Sequence, residues 1–140
     1  MMRRSVMHVF FLMVLLVFLT ACPSGPNGSP GGAVVLAMDA MVHRDAEMLI
    51  KATCGNRTDC ADLKETDALM NSIIDRLSLD TSGKISIGRT FKEDKGRKAS
   101  VYFILTQHGG KQQYVMNAQK QDKEWVAIPE SISKSDRQLW

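Results

Sequence analysis

Hydrophobic residues follow three different spacings along this chain, and each spacing predicts a different structure. The first is an almost unbroken apolar run from Val6 to Leu19, interrupted only by His8. This run has the length of a signal-peptide h-region and is short for a bilayer-spanning helix, which needs roughly 20 apolar residues. A stretch rich in Gly, Pro and Ser follows it, and the other two spacings come after that stretch.

The second spacing is helical. Apolar residues recur every three or four positions, which predicts a first helix from Ala33 to about Arg44 and a third from about Ala61 to Leu79. Between them, Asp45 is placed to cap a second, short helix through Ile50, because its carboxylate can accept from an unpaired amide of the first turn. Thr58 or Asp59 is the predicted cap of the third helix.

The third spacing is typical of strands. Ile85, Ile87 and Phe91 alternate with polar residues, and the segment 99–106 is rich in β-branched and aromatic residues. His108-Gly109-Gly110 predicts a turn into a strand over 112–119, and a further turn leads into a last strand over 125–128. Pro129 is predicted to end that strand, because proline cannot donate to a ladder.

Helices followed by about four antiparallel strands predict an α+β domain, with N-terminal helices packed on a curved antiparallel sheet. The predicted domain covers residues 33–128, which is enough chain for one modest core. Trp125 is expected to anchor that core. Residues 129–140 are predicted to form a polar C-terminal tail that ends in Leu139 and Trp140.

The start of the chain has the parts of a lipoprotein signal. Arg3 and Arg4 give a positive n-region, and Leu19-Thr20-Ala21-Cys22 is a lipobox. Residues 1–22 therefore resemble the signal peptides of bacterial lipoproteins. The resemblance implies that residues 1–21 are removed and that Cys22 becomes the lipidated first residue. An ordinary secretory signal, or a buried apolar helix with an incidental cysteine, is the alternative.

A lipid at Cys22 decides the expected location. Two or three acyl chains hold a protein far more firmly than one myristoyl chain does. Residues 22–32 are predicted to form the lipidated cysteine and a flexible tether that holds the domain ~17 Å from the membrane. Pro23 stands where aspartate is associated with inner-membrane retention in enteric bacteria, so the resemblance favours the outer membrane of a Gram-negative cell envelope.

Charge excludes one class of partner. The chain has eighteen Lys and Arg against fifteen Asp and Glu, and removal of Arg3 and Arg4 leaves sixteen against fifteen. A mature chain near +1 gives no reason to expect nucleic acid as a partner. No segment forms a basic stripe for anionic headgroups. The expected partners are the membrane, through the N-terminal lipid, and an envelope protein or other envelope component.

Cysteine parity fits this compartment. With Cys22 lipidated, Cys54 and Cys60 remain, and an oxidising envelope favours their pairing as a structural disulfide. Their five-residue gap is not the C-x-x-C of redox enzymes, and no histidine is near enough in sequence to suggest zinc. A redox pair or a metal site is the alternative. No cofactor and no metal are predicted.

A second resemblance concerns the domain. The lipobox, the tether, the helix with Asp45, and the strand 99–103 followed by a lysine-rich turn into Trp125 are similar to a group of small lipoproteins of uncharacterised role. The resemblance implies a cystatin-like or nuclear-transport-factor-2-like fold over most of 33–128, and it implies no reaction. The chain departs from the group at Asp122-Lys123-Glu124, which replaces the usual turn glycine, and in the Cys54/Cys60 loop.

Folds of this kind can hold a pocket between the sheet and the helices. Asp39, Tyr102 and Tyr114 are the candidate lining residues, because an isomerase or dehydratase would need a carboxylate or histidine that faces a tyrosine donor. Asp39 and His43 share a helical face, where the simpler interpretation leaves both in solvent as a weak pair. His108, in its glycine-rich turn, is expected to be solvated. No catalytic residue is predicted.

The sequence therefore favours a non-enzymatic binding or structural module of the cell envelope. The alternative is a pocket protein that binds or isomerises a small apolar ligand. A cystatin-shaped inhibitor is a weaker third interpretation, because no inhibitory motif supports it.

Overall fold

The structure, a computed structural model, describes residues 25–57 and 59–137. Three α-helices precede four β-strands, as the sequence predicts, and two short 3-10 turns lie at Pro26–Gly28 and Asp94–Gly96. The elements are α1 (Pro30–Val42), α2 (Ala46–Cys54), α3 (Leu63–Leu77), β1 (Lys84–Glu93), β2 (Lys98–Gln107), β3 (Gly110–Gln121) and β4 (Glu124–Lys134). The fold is α+β, with helices packed against an antiparallel sheet.

Helix α1 begins three residues earlier than predicted, at Pro30 rather than Ala33. The Ser29 hydroxyl accepts a hydrogen bond from the Gly32 amide at 3.0 Å. Proline suits the first helical turn, since its missing N–H would have no partner there. The predicted tether over 22–32 is therefore too long at its C-terminal side, because 30–32 are helical and Pro30 is buried.

Helices α2 and α3 differ in how they start. The Asp45 carboxylate caps α2 by accepting from the Met48 amide at 3.1 Å, as predicted. Helix α3 has Asp62 at its N-cap position without a side-chain hydrogen bond, so Asp59 is not its cap. Thr58, the other predicted cap, lies outside the described residues. Ser78 then takes a left-handed conformation, with φ 49°, and ends α3.

The four strands form a meander in the order β1-β2-β3-β4. Each pair is antiparallel, and Phe103 on β2 lies opposite Tyr114 on β3. The β2–β3 turn consists of His108 and Gly109, whose positive φ values of 51° and 73° fit the tight hairpin turns that match strand twist. Because the chain reverses at each turn, the β1–β2 and β3–β4 turns lie at one end of the sheet and the β2–β3 turn at the other.

Strand β4 continues through Pro129 to Lys134, which corrects the predicted strand end and shortens the predicted tail. Proline is tolerated because β4 is an edge strand and its pairing with β3 is irregular between Val115 and Asn117. At this bulge the Ser131 hydroxyl accepts from the Asn117 amide at 2.8 Å and lies 2.6 Å from the Ile128 carbonyl, to which it donates. A side chain thus supplies the ladder bonds that the bulge removes.

The two faces of the sheet are buried to different degrees. On the helix-facing side, Val101, Phe103 and Met116 are fully buried against α1, whose Met38 and Met41 are also fully buried. On the outer face the apolar side chains are only half-buried, among them Tyr102, Ile104 and Val115. Every residue of the core cluster lies between Ala33 and Ile132, so the chain from Gly25 onward carries the whole core.

Candidate functional site

The chain enters the domain at one end of the sheet. The Asn27 side-chain amide donates to the Trp125 carbonyl at 2.7 Å and to the Lys51 carbonyl at 3.3 Å. Trp125 is the second residue of β4, so this contact fixes the start of the described chain beside the β3–β4 turn. Cys22, the predicted lipidation site, lies outside the described residues, three positions before Gly25.

Gly32 makes this entry possible. A Cβ built at Gly32 would collide with the Pro26 carbonyl oxygen, so the 3-10 turn Pro26–Gly28 can fold back on α1 only where no side chain is present. The glycine that composition assigned to a flexible tether therefore serves a packed turn. This turn brings the segment nearest to Cys22 onto the surface of the domain.

The disulfide lies at the same end. The structure joins Cys54, the last residue of α2, to Cys60, with the Cα atoms 5.9 Å apart. Cys54 is buried, and next to it Gly55 takes a positive φ of 61° that brings the chain against β4. There the Glu124 carboxylate accepts from the Asn56 amide at 2.8 Å. The bridge thus holds together the loop that packs against the β3–β4 turn.

The candidate pocket residues are not brought together. Tyr114 points to the helix side and stacks on Phe103 with ring centroids 5.9 Å apart, where burial raises the pKa of its hydroxyl. Tyr102 lies on the opposite face and meets Phe91 edge-to-face at 5.7 Å. Because successive side chains on a strand alternate between faces, Tyr102 and Val115 share the outer face while Tyr114 does not. These two tyrosines cannot line one chamber.

Asp39 and His43 also differ from the expected side-chain pair. The His43 ring Nδ1 lies 2.8 Å from the backbone carbonyl of Asp39 and not against its carboxylate. His43 is the C-cap residue of α1, and its ring satisfies a carbonyl in the last turn of that helix. The contact has a structural explanation and offers no acid–base pair.

At the end of the sheet that carries the β2–β3 turn, side-chain hydrogen bonds join three segments of the chain to one another. We call this the closed end, formed by 42–45, 77–84 and 107–111. Gln107 bridges two groups there, donating to the Leu77 carbonyl at 3.1 Å and accepting from the Asp80 amide at 3.0 Å. Arg44 reaches the Leu79 carbonyl at 3.1 Å. The turns after α1 and α3 and the β2–β3 hairpin are therefore held to one another.

An acid, a serine and a histidine meet at the closed end, but not as a catalytic triad. The Ser82 hydroxyl donates to the Asp80 carboxylate at 2.9 Å, and the Ser82 backbone amide donates to it as well. These two bonds lower the pKa of Asp80, with a smaller contribution from His108. The His108 ring Nε2 lies 2.8 Å from the Ser78 carbonyl. A carbonyl only accepts, so Nε2 carries a proton and donates, and no serine hydroxyl faces it.

The opposite end of the sheet is rich in cations. Six exposed basic residues, which we call the basic end, come from two segments of the chain, 92–98 and 120–123: Lys92, Lys95, Arg97, Lys98, Lys120 and Lys123. Four of them border a solvent-open depression of about 610 Å³, together with Asp94 and Asp122. Among residues 25–57 and 59–137, no lysine or arginine nitrogen lies within 4.0 Å of a carboxylate oxygen. In the same residues, the one basic side chain that comes this close to a carboxylate is His108, whose Nδ1 lies 3.9 Å from Asp80.

The sequence predicts no basic stripe, because the six cations lie in two groups, 92–98 and 120–123, that are distant in the chain. The alternation of strand direction brings the β1–β2 and β3–β4 turns to one place, and the lysines that flank these turns come with them. In the sheet region, 84–137, eleven Lys and Arg face six Asp and Glu, whereas in 25–83 five face nine. The near-neutral total therefore hides a separation of charge between the helices and the sheet.

Two further findings concern only the part of the chain that the structure describes. No helix there is both long and apolar enough to cross a membrane. No group of three or more His, Cys, Asp or Glu side chains there is arranged to hold a metal ion.

Comparisons with known proteins add little to this picture. No protein-family description matches the sequence, and no curated protein matches it. One solved structure to which the fold is similar is a de novo designed protein with a curved β-sheet, at 15% sequence identity and a TM-score of 0.45. The match covers 73% of this chain and 94% of the designed chain.

Proposed function

We propose that this protein is a lipid-anchored lipoprotein of the bacterial cell envelope, held in the outer membrane of a Gram-negative cell, and that its domain is a non-enzymatic binding or structural module. The observation that carries the proposal is the signal pattern, in which Arg3, Arg4 and an apolar run lead into Leu19-Thr20-Ala21-Cys22. Lipidation of Cys22 would leave a very short connection to the domain, because the Asn27 side chain already bonds to the Trp125 carbonyl.

Two features of the domain support the proposal. The Cys54–Cys60 disulfide suits an oxidising compartment. The side chains that a pocket enzyme would need are dispersed, with Tyr102 and Tyr114 on opposite faces of the sheet and the His43 ring committed to a backbone carbonyl. These placements favour recognition by a surface over chemistry in an enclosed site.

Lipidation is tested by metabolic labelling with radioactive palmitate and by fractionation of the cell envelope. We expect the wild-type chain to incorporate the label and to stay with the membranes, and the Cys22→Ser variant to lose the label. The matched control is the double variant Cys54→Ala with Cys60→Ala, which removes the other two thiols and keeps its label. An unlabelled wild-type chain would show that the anchor is not there.

The absence of enzymatic activity is tested separately. Under the pocket hypothesis, a purified domain would turn over or retain a small apolar ligand and Asp39→Asn would abolish this. Native mass spectrometry of the chain from Gly25 onward should instead show a mass equal to the sequence minus two hydrogens for the disulfide. A bound organic molecule that survives purification would replace the surface-recognition proposal with the pocket hypothesis.

A further inference from the structure

We propose that the basic end of the domain is a docking surface for anionic phospholipid headgroups, and that it holds the domain in one orientation against the membrane that anchors it. This inference rests on the proposed lipidation of Cys22. It adds a second membrane contact, made by the folded domain itself. The first supporting observation is the position of the chain entry, and the second is the placement of the cations.

The entry position brings the basic end to the membrane. The Asn27 side chain is bonded to the carbonyl of Trp125, the second residue of β4, so the chain enters at the end that carries the β1–β2 and β3–β4 turns. Only three peptide units separate Cys22 from Gly25, and they span at most about 11 Å when fully extended. The lipid therefore keeps this end within about one or two Debye lengths of the headgroups at physiological salt, where the Debye length is about 8 Å.

The opposite end is held away from the surface. Helix α1 runs from the entry to the closed end, and its 13 residues at about 1.5 Å each make it roughly 20 Å long. Lys84, Lys111 and Lys134 lie at that far end, at the start of β1, the start of β3 and the end of β4. Salt screens charges at that distance, so their attraction to the same membrane is weak.

The cations at the basic end are accessible to headgroups, and one of them, the Lys92 ammonium, also lies 5.8 Å from the Trp125 ring centroid. All six are exposed, and among the described residues none is within 4.0 Å of a carboxylate. The two turns of this end also carry four carboxylates, Glu93, Asp94, Asp122 and Glu124, so there the cations exceed the anions by six to four. The neighbouring Cys54–Cys60 loop adds one exposed charge of each sign, Arg57 and Asp59. An excess of two gives weak binding in solution. Beside a lipid anchor weak binding is enough, because the anchor fixes the local concentration of membrane and the charges need only select an orientation.

Binding to vesicles tests this surface without the lipid anchor. The unlipidated chain from Gly25 to Trp140, which carries the whole core, is sedimented with phosphatidylcholine vesicles that contain or lack phosphatidylglycerol. We expect binding only to the anionic vesicles, and loss of binding in high salt. Equal partition into both vesicle types, or no binding to either at low salt, would overturn the inference.

A pair of matched variants locates the surface. Lys95→Gln, Lys98→Gln and Lys123→Gln remove three cations from the basic end, and Lys84→Gln, Lys111→Gln and Lys134→Gln remove three from the opposite end of the sheet. At about fivefold per lysine, the first triple variant should lower the partition coefficient by up to about 100-fold, and the second by less than about threefold. Equal losses would mean that net charge alone drives binding and that no docking surface exists.

Failure of this inference can be distinguished from failure of the proposed function. Palmitate on Cys22 together with no binding of the free domain to anionic vesicles would reject the headgroup surface and leave the lipoprotein assignment standing. Binding that follows the basic end together with an unlabelled Cys22 would reject the anchor and leave the surface standing.

Discussion

The two ends of the sheet differ in what their polar and charged side chains contact. At the closed end, polar side chains form hydrogen bonds to the backbone of other elements, as Gln107, Arg44 and His108 do. At the basic end, Lys92, Lys95 and Lys98 stay exposed, and the elements are held by burial, by the disulfide and by the bond from Asn27 to Trp125. Polar groups stabilise the fold at one end and remain available for a partner at the other.

The difference can be stated in terms of energy. A buried or half-buried hydrogen bond to a backbone carbonyl contributes about 1 kcal/mol, and loss of one partner leaves the other unsatisfied. An exposed cation without a partner contributes almost nothing to folding. Substitutions at the closed end should therefore lower stability, whereas lysine substitutions at the basic end should change membrane binding and leave stability almost unchanged.

The largest effect is expected from Trp125→Ala at the basic end. Trp125 is 4% exposed and belongs to the core cluster, with the Lys92 ammonium 5.8 Å from its ring centroid. Removal of a buried tryptophan side chain leaves a cavity and should lower the free energy of unfolding by about 3–5 kcal/mol, measured by urea denaturation. Lys92→Gln is the control and should cost under about 1 kcal/mol. A comparable loss in both variants would mean that the cation, and not burial, holds this end.

Removal of the disulfide should have the next largest effect. Cys54→Ala with Cys60→Ala opens a loop of sequence separation 6, for which the chain-entropy argument gives about 2 kcal/mol. The same loss should follow when a reductant is added to the wild-type chain, measured as a shift in the urea midpoint. If reduction left the midpoint unchanged, the bonds from Asn56 to Glu124 and from Arg57 to Gln121 would be enough to hold this loop without a covalent bond.

Gln107→Ala tests the closed end directly. The variant leaves the Leu77 carbonyl and the Asp80 amide without their partner and should lower the free energy of unfolding by about 1–2 kcal/mol in urea denaturation. Gln119→Ala is a matched control on β3, since Gln119 is exposed and lies at the basic end; it should cost less than about 0.5 kcal/mol. Similar losses in the two variants would remove the contrast between the ends.

Local patterns in the sequence were enough to predict the element order and the meander. The spacing of Met38 and Met41, the Asp45 cap and the His108-Gly109 turn each depend on residues a few positions apart, and the structure confirms all of them. The predictions are wrong where contacts between residues distant in the sequence determine the structure. Strand β4 passes Pro129 because Ser131 bonds to Asn117 across the bulge, and no local pattern contains that pairing.

The placement of the candidate site residues depends even more on contacts that local sequence patterns do not contain. Composition places Gly32 in a flexible tether, because composition cannot reveal that the Pro26 carbonyl packs against this glycine. Residue type alone makes Asp39, Tyr102 and Tyr114 candidate pocket residues, whereas strand register places the two tyrosines on opposite faces of the sheet. The basic end could have been predicted from the correct meander, since alternate turns of an antiparallel sheet share an end and both turns there are flanked by lysines.

The smallest predicted effect is a pH dependence at the closed end. Hydrogen bonds from Ser82 hold the pKa of Asp80 below its usual value near 3.9, so the folded state favours the carboxylate. A lowered folded pKa means that the stabilisation is fully present above the unfolded pKa and is lost as the pH falls through the folded pKa.

The difference in stability between the wild-type chain and Asp80→Asn should therefore be greatest at neutral pH and should shrink as the pH falls below about 4. Urea midpoints of both chains at neutral pH and near pH 3 measure this change. Ser82→Ala should weaken the pH dependence without abolishing it, because it removes the hydroxyl bond, the first cause of the lowered pKa, and keeps the bond from the Ser82 backbone amide. A difference in stability that stays constant over this range would show that the negative charge of Asp80 does not stabilise the closed end. The two ends would then differ in their hydrogen bonds and not in how their charges contribute to stability.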